Sequence, residues 1–312
     1  TTYSETNIQV EGVDEADIIK TDGEFIYALA HNKIIIAKAY PSEQAEILFE
    51  RKIPNFKVRD LFIDGDRLLV FGSTTYNYGR ERALSFDGVY VDVDREVSCK
   101  TAHCVPPIRR IGMTTAKLFD ISDKESPELL RTIEIEGNYI TSRKIGEYAY
   151  FVVNSYPHHN IETPEEIIPL YREGDEAFSS IAQPTEISYI PPINARGFTT
   201  VLSISMEDEN EVINKEVVVG DGYNIYSSLE NLYVAQTEYP SYNYYDSNDG
   251  ERPKEKTVVA KFNLDDGEVN FQGKGEFPGH LLNQFSMDEH KDISGQPPQQ
   301  DTEMFQKTIS IS

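Results

Sequence analysis

The feature that most constrains the fold of this chain is an internal repeat. A short apolar segment, a tight turn and an aromatic-rich segment occur together four times, at 18–27, 61–70, 142–151 and 227–234. The turns include Asp-Gly and Gly-Glu pairs, which favour tight β-hairpins. A repeat of this kind has to be explained before any local structure is assigned. It predicts a modular array built on hairpins.

Two further alternating segments follow each predicted hairpin. The third strands are predicted at Lys33–Ala39, Thr114–Ile121, Thr199–Ser205 and Thr257–Leu264, and the fourth at Glu46–Ile53, Glu128–Ile135, Glu211–Val219 and Glu268–Phe277. No segment carries a helical apolar stripe longer than two turns. Four strands per unit, rich in β-branched residues, predict an all-β fold, a β-propeller of four-stranded antiparallel blades.

The repeat also sets the expected division of the chain. We expect an N-terminal strand or closure segment at 1–13, blades at 14–57, 58–137, 138–220 and 221–279, the start of a fifth blade at 280–291 and a polar tail at 292–312. About twenty residues are too few to complete a fifth blade. Either Thr6–Val10 and the tail close a four-bladed ring, or the chain is part of a larger propeller. The second alternative is favoured, because open strand edges ought to be covered.

Three blades exceed the roughly 40–45 residues of a propeller repeat. The excess lies between the second and third strands, at about 74–112, 155–197 and 238–255, so that all three insertions are expected on one rim. Long loops on a rigid scaffold are where binding usually takes place. Aromatic residues in these insertions are candidates for recognition of a protein, peptide or glycan, or else pack the loops onto the blades. They are Tyr76, Tyr78, Tyr239, Tyr242, Tyr244 and Tyr245.

The charge balance excludes some partners. The chain has 29 Lys and Arg against 53 Asp and Glu, a net charge of −24. Its longest basic clusters are dipeptides, so we expect neither nucleic acid nor an anionic membrane surface as a partner. No apolar run approaches the ~18 residues that span a bilayer, so no membrane insertion of this segment is expected.

The sequence offers no catalytic template, and no catalytic residue is predicted. Common nucleophile, zinc and nucleotide motifs are absent. The acidic residues Asp14 and Asp17 are expected near the mouth of the central channel. There they either cap turns or provide oxygen ligands to calcium. A pair of carboxylates contributed by different blades would not be visible in the sequence.

Two segments resemble signatures of a known family. Ser4–Gly23, which reads Ser-Glu-Thr-Asn-Ile-Gln-Val-Glu-Gly-Val-Asp-Glu-Ala-Asp-Ile-Ile-Lys-Thr-Asp-Gly, and Pro278–Glu289 resemble the secreted β-propeller domain family that is distantly related to WD-40 repeats. The resemblance covers Ser4 to about Glu289. It implies further blades beyond the second signature and export through a signal or anchor before Thr1, hence an extracellular or cell-envelope location. It implies no established activity.

The two cysteines agree with export. Cys99 and Cys104 enclose a short loop in the first insertion, a spacing that permits a disulfide. The alternatives are two reduced thiols or a zinc site with His103, which would lack a fourth ligand.

The sequence therefore predicts an exported, non-catalytic β-propeller that binds a protein, peptide or glycan through its insertion rim. One alternative is a propeller enzyme, a hydrolase or lyase acting on envelope polymers with carboxylates or calcium at the channel. Another is a purely structural spacer.

Overall fold

A computed structural model describes residues 9–78, 109–157, 167–189, 196–238, 255–289 and 309–311. These residues form strands and short 3-10 helices, and they include no α-helix. The described part of the chain accordingly holds no helix with the length and apolar character needed to cross a membrane. The all-β prediction is confirmed.

The strands are, in chain order, β1 (Val13–Glu15), β2 (Ile19–Thr21), β3 (Phe25–Ala30), β4 (Lys33–Lys38), β5 (Glu46–Arg51), β6 (Lys57–Asp64), β7 (Arg67–Tyr78), β8 (Arg109–Asp120), β9 (Glu128–Glu136), β10 (Asn138–Ile145), β11 (Tyr148–Ser155), β12 (Leu170–Glu173), β13 (Ser179–Ser180), β14 (Phe198–Ser205), β15 (Asn214–Val219), β16 (Asn224–Ser227), β17 (Asn231–Glu238), β18 (Lys256–Asp265), β19 (Glu268–Pro278), β20 (Met287–Glu289) and β21 (Ile309–Ile311).

Four antiparallel sheets follow one another along the chain. Sheet one is built on β2 to β5, sheet two on β6 to β9, sheet three on β10, β11, β14 and β15, and sheet four on β16 to β19. In sheets one to three, a glycine at positive φ lies between the first two strands, as at Gly65 (φ 52°) and Gly146 (φ 57°). A side chain would be strained there, which explains why the repeat is marked by glycine.

Alternation along the central strands separates two apolar faces in each sheet. In β7, Leu68 and Val70 pack toward sheet one, whereas Leu69 and Phe71 pack toward sheet three. The same alternation in β11 and β17 produces a further cluster between sheets three and four. Successive sheets therefore pack face to face around separate apolar cores, as in a propeller.

Two sheets are larger than the predicted four strands. The second insertion contributes β12, which pairs with β9, and β13, which pairs with β12, so sheet two has six strands. The N-terminal β1 pairs with β10 and gives sheet three five strands. Both additions cover a strand edge that would otherwise be open.

An N-terminal strap, defined here as residues 9–18, crosses the sheets before β2 begins. The side chain of Gln9 donates to the carbonyl of Gln284 at 3.4 Å. Val10 packs against the apolar cluster of sheet four, β1 pairs with sheet three, and the backbone of Asp17 pairs with Leu61 of sheet two. The first signature segment therefore contacts sheets four, three and two and then continues into β2 of sheet one.

The start of the predicted fifth unit covers sheet four. Leu281 and Met287 pack against Tyr226 and Tyr233 on the sheet face that points away from sheet three. β20 pairs in parallel with β21, which differs from the antiparallel blade that was predicted. The first insertion is also shorter than expected, because β7 and β8 extend their pairing as far as Tyr78 and Arg109.

Candidate functional site

A cleft of about 380 Å³ opens at the end of sheet two from which the first insertion leaves. Its walls are residues 57–59 of β6, 72–75 of β7, 112–114 of β8 and 137–139, where β9 gives way to β10. The cleft therefore lies at the junction of sheets two and three. Gly112 opens one wall, since a Cβ atom placed there would meet nothing within 4 Å.

The cleft presents two cationic side chains. A β-bulge between Val58 and Asp60 takes Arg59 out of the regular pairing of β6 with β7. Bulges of this kind redirect a side chain. The Arg59 guanidinium lies over the ring of Tyr139, and its Nε atom is 4.0 Å from a carboxylate oxygen of Asp60. Lys57 is exposed and forms no ion pair with any residue that the structure describes. The positive charge at the mouth of the cleft contrasts with the net charge of −24 of the whole chain.

The carboxyl group of Asp60 is affected by its surroundings. Burial raises its pKa, and a hydrogen bond from Tyr139 and the charge of Arg59 offset only part of that effect. The contact between the two side chains is also long, at 4.0 Å from the Arg59 Nε atom to an Asp60 carboxylate oxygen. The guanidinium, 56% exposed, keeps donors available to a ligand.

A buried network supports the cleft from within sheet two. Thr74, which lines the cleft, donates to Glu134 at 2.7 Å, and Tyr76 donates to the same carboxylate at 2.8 Å. Arg172 of β12 forms an ion pair with Glu134, and its guanidinium contacts the rings of both Tyr76 and Phe178, which also contact each other edge to face. The network joins the second insertion to the wall of the cleft.

Glu134 is only 2% exposed, yet it remains ionised. Burial by itself raises the pKa of its carboxyl group, but hydrogen bonds from Thr74, Arg172 and Tyr76 outweigh burial and leave the pKa below its usual value. Burial and the neighbouring Glu134 raise the pKa of the Tyr76 hydroxyl to about 12. Both groups keep one protonation state near neutral pH, which suits a rigid support rather than proton transfer.

The predicted recognition residues have different outcomes. The Tyr76 ring packs in the network just described, and Tyr78 ends β7 opposite Arg109. Four other candidates, Tyr239, Tyr242, Tyr244 and Tyr245, lie outside the described residues, as do Cys99 and Cys104. A role of those six residues stays a prediction.

The predicted calcium ligands take part in local contacts. Asp14 pairs with the Lys20 ammonium at 2.6 Å, and the Asp17 carboxylate accepts from the Ile18 N–H at 2.6 Å. The adjacent Glu15 pairs with Arg143 at 3.1 Å. Within the described ranges, no group of three or more His, Cys, Asp and Glu residues could hold a metal ion. Calcium binding at Asp14 and Asp17 stays a prediction.

Sequence reasoning missed Lys57 and Arg59. The signal that could have identified them is the alternation of Lys57 and Arg59 at the start of β6 in a strongly acidic chain. Their convergence with Tyr139 depends on the packing of sheet three against sheet two, which no local pattern encodes.

Comparison with known proteins gives a family model described as "Beta propeller domain", which matches residues 3–293. An uncharacterized protein of Methanocaldococcus jannaschii is 26% identical over 334 residues, covering 92% of this chain and 48% of the relative. An uncharacterized protein of Archaeoglobus fulgidus is 25% identical over 360 residues, covering 92% of this chain and 51% of the relative. The chain therefore spans about half the length of the curated relatives it matches.

Proposed function

The chain belongs to the beta propeller domain family, and from that premise we propose that it is a non-catalytic binding domain for an acidic segment of a partner protein. The observation that carries the proposal is the cleft at the junction of sheets two and three with Lys57 and Arg59 at its mouth. Lys and Arg side chains bind carboxylates through charge-assisted hydrogen bonds. The rigid network around Glu134 holds the wall of this cleft in place.

A peptide fits the cleft better than a glycan does. Sugar rings are commonly bound against an exposed aromatic face, and the aromatic ring lining this cleft is that of Tyr139. Its faces are occupied, since Phe71 stacks at 5.1 Å between ring centroids and the Arg59 guanidinium lies at 5.0 Å. Tyr139 is also only 5% exposed. The exposed polar side chains that line the cleft are two cations, two hydroxyls and one amide, and all of them can donate hydrogen bonds to carboxylates: Lys57, Arg59, Ser73, Thr75 and Asn138.

The export of the chain to the cell envelope remains part of the proposal. It is supported by the resemblance of Ser4–Gly23 and Pro278–Glu289 to signatures of a secreted propeller family. The hydrolase or lyase alternative stays a prediction, and no contact among the described residues favours it.

The test measures binding of a fluorescein-labelled hexaglutamate peptide by fluorescence anisotropy. Wild type is expected to bind it, more weakly at high ionic strength, and not to bind hexaglutamine or hexalysine. Lys57→Ala should reduce the affinity by about tenfold or more, because a charge-assisted hydrogen bond contributes about 1.5–3 kcal/mol. Gly112→Leu should block the cleft, since its side chain points into open space.

Lys52→Ala is the matched control, because Lys52 is also exposed but does not line the cleft. Equal affinity of wild type and Lys57→Ala for hexaglutamate would overturn the proposed site. If the chain bound polygalacturonate but not hexaglutamate, the ligand of the cleft would be an acidic glycan rather than an acidic peptide.

A further inference from the structure

Two exposed tyrosines meet at the junction of sheets three and four. Tyr156 follows β11 of sheet three and is 39% exposed, and Tyr223 precedes β16 of sheet four and is 60% exposed. Their hydroxyl groups contact each other, so the two rings meet at their polar ends. Neither residue lines the cationic cleft at the junction of sheets two and three. Tyr156 and Tyr223 are defined here as the tyrosine pair.

The backbone around the tyrosine pair is held by buried contacts. Asn154, which is fully buried, donates to the Gly222 carbonyl at 2.8 Å and accepts from the Thr199 hydroxyl at 2.9 Å. A Cβ atom on Gly197 would lie 3.0 Å from the Tyr156 ring, so that ring packs directly on the glycine. The pair is therefore placed before any ligand arrives, which reduces the entropy lost on binding.

Polar side chains lie beside the tyrosine pair. Asp221 is half-buried, and its backbone N–H donates to the Gln236 side-chain oxygen at 3.3 Å. Burial raises the pKa of the Asp221 carboxyl group, and the charge of Arg196 and a hydrogen bond from Gln236 offset part of that effect. One carboxylate oxygen of Asp221 is buried and has no hydrogen-bond partner among the described residues. Buried polar atoms are nearly always satisfied, so this oxygen calls for a donor from outside those residues.

The tyrosine pair and its polar neighbours suit an uncharged sugar chain. The faces of aromatic rings carry partial negative charge and pack against the C–H groups of sugars. Burial, the Tyr223 hydroxyl and the charge of Asp221 raise the pKa of the Tyr156 hydroxyl, which therefore remains a hydrogen-bond donor at neutral pH. An acidic ligand would be repelled by Asp221 and a basic ligand by Arg196, so an uncharged ligand is favoured.

We propose that the tyrosine pair is a binding site for a neutral glycan, with sugar rings packed on the two tyrosines and sugar hydroxyl groups bound by Asp221 and Gln236. Two adjacent rings favour an oligosaccharide over a single sugar, because each ring supplies its own packing surface. The site is separate from the cationic cleft, and the inference does not rest on the proposed binding of an acidic peptide.

The test measures binding of three neutral hexasaccharides, cellohexaose, mannohexaose and chitohexaose, to the 312-residue chain by saturation-transfer difference NMR, with titration for the Kd. At least one of them is expected to bind, with an affinity that changes little with ionic strength. Tyr223→Ala should weaken this binding by at least about tenfold. Tyr223→Phe keeps the ring and should weaken it less. Tyr40→Ala is the matched control, because Tyr40 is 53% exposed but lies between β4 and β5 of sheet one.

Absence of binding of all three hexasaccharides would overturn the proposal, as would equal affinity of wild type and Tyr223→Ala. A loss in Tyr223→Phe as large as that in Tyr223→Ala would contradict packing of the sugar on the ring. Hexaglutamate separates the two sites, because Tyr223→Ala should leave its binding unchanged. Loss of hexasaccharide binding in Lys57→Ala but not in Tyr223→Ala would place the sugar in the cationic cleft and would also overturn the proposal.

Discussion

The guanidinium of Arg59 lies over the ring of Tyr139, 5.0 Å from its centroid, and donates to the carbonyl of the same residue at 3.1 Å. The contact joins β6 of sheet two to the first strand of sheet three. Arg59 is more than half exposed, whereas Tyr139 is buried. The two residues therefore contribute unequally to stability.

Arg59→Ala should lower the free energy of unfolding by about 1 kcal/mol, the usual size of an exposed cation–π contact. Tyr139→Ala should lower it by about 4 kcal/mol, because a buried aromatic ring is replaced by a cavity. Urea denaturation followed by circular dichroism measures both. Similar losses for the two variants would contradict the assignment of Tyr139 as core and Arg59 as cleft surface.

Glu134→Gln should destabilise the fold by about 3 kcal/mol at neutral pH, because it leaves Arg172 without its charge partner. In the folded protein the pKa of the Glu134 carboxyl group lies below its ordinary value of 4.5. A carboxyl group with a lowered folded pKa stabilises the fold above its unfolded pKa, and that stabilisation is lost as the pH falls through the folded pKa. The difference in Tm between wild type and variant should therefore shrink as the pH falls below about 4.5.

The control is Glu50→Gln, which removes the partner of Lys33 in a surface ion pair whose side chains are 41% (Lys33) and 40% (Glu50) exposed. It should cost at most about 1 kcal/mol, as is usual for ion pairs near the surface. A pH-independent difference between wild type and Glu134→Gln would show that the carboxylate is not ionised in the network.

Gly137 and Gly112 are directly linked, because the Gly137 N–H donates to the Gly112 carbonyl at 3.1 Å. Gly137→Ala and Gly112→Ala therefore form a matched pair of variants. Gly137 has φ 129°, and an added Cβ would lie 2.6 Å from the Asn154 carbonyl oxygen. We expect Gly137→Ala to cost about 3 kcal/mol through strain and overpacking. Gly112→Ala should be within about 0.5 kcal/mol of wild type, since its Cβ meets no neighbour. Thermal unfolding compares them, and equal Tm values would contradict the described link between sheets two and three.

Asp14→Asn should lower the Tm by the same amount in millimolar calcium and in excess chelator. The expected cause is loss of the partner of Lys20, which is only 7% exposed. A specific calcium site would instead raise the Tm of wild type in calcium, and the variant would abolish that rise. Such a calcium-dependent rise in Tm, lost in the variant, would show that Asp14 is a ligand of calcium.

The strand order was predictable because sheets two, three and four bury both of their faces and sheet one buries the face toward sheet two. The alternation of β8 and β18 and the Gly-marked turns at Gly65 and Gly146 are local consequences of that packing. The strand β12 was not predicted, because its four residues form a strand only by pairing with the distant β9. The resemblance of the opening segment to a known family could be recognised in the sequence. The path of this segment across several sheets could not be predicted from it.

The candidate site was largely invisible in the sequence. Arg59 owes its direction to a bulge in the pairing of β6 with β7, which depends on register rather than composition. Arg172 reaches Glu134 across 38 positions of the chain, and no local pattern encodes that ion pair. Tyr76 was noticed as an aromatic residue of an insertion, yet its hydroxyl is bound to Glu134 within the sheet.

The path of the N-terminal strap has a consequence for the order of folding. Gln9 meets a partner 275 positions away, and β1 pairs with a strand that begins at Asn138. Contacts this distant in sequence form late and slow the folding of a chain. The strap, which precedes the four sheets in the chain, is therefore among the last segments to be placed. Substitutions in the strap should accelerate unfolding while leaving the folding rate nearly unchanged.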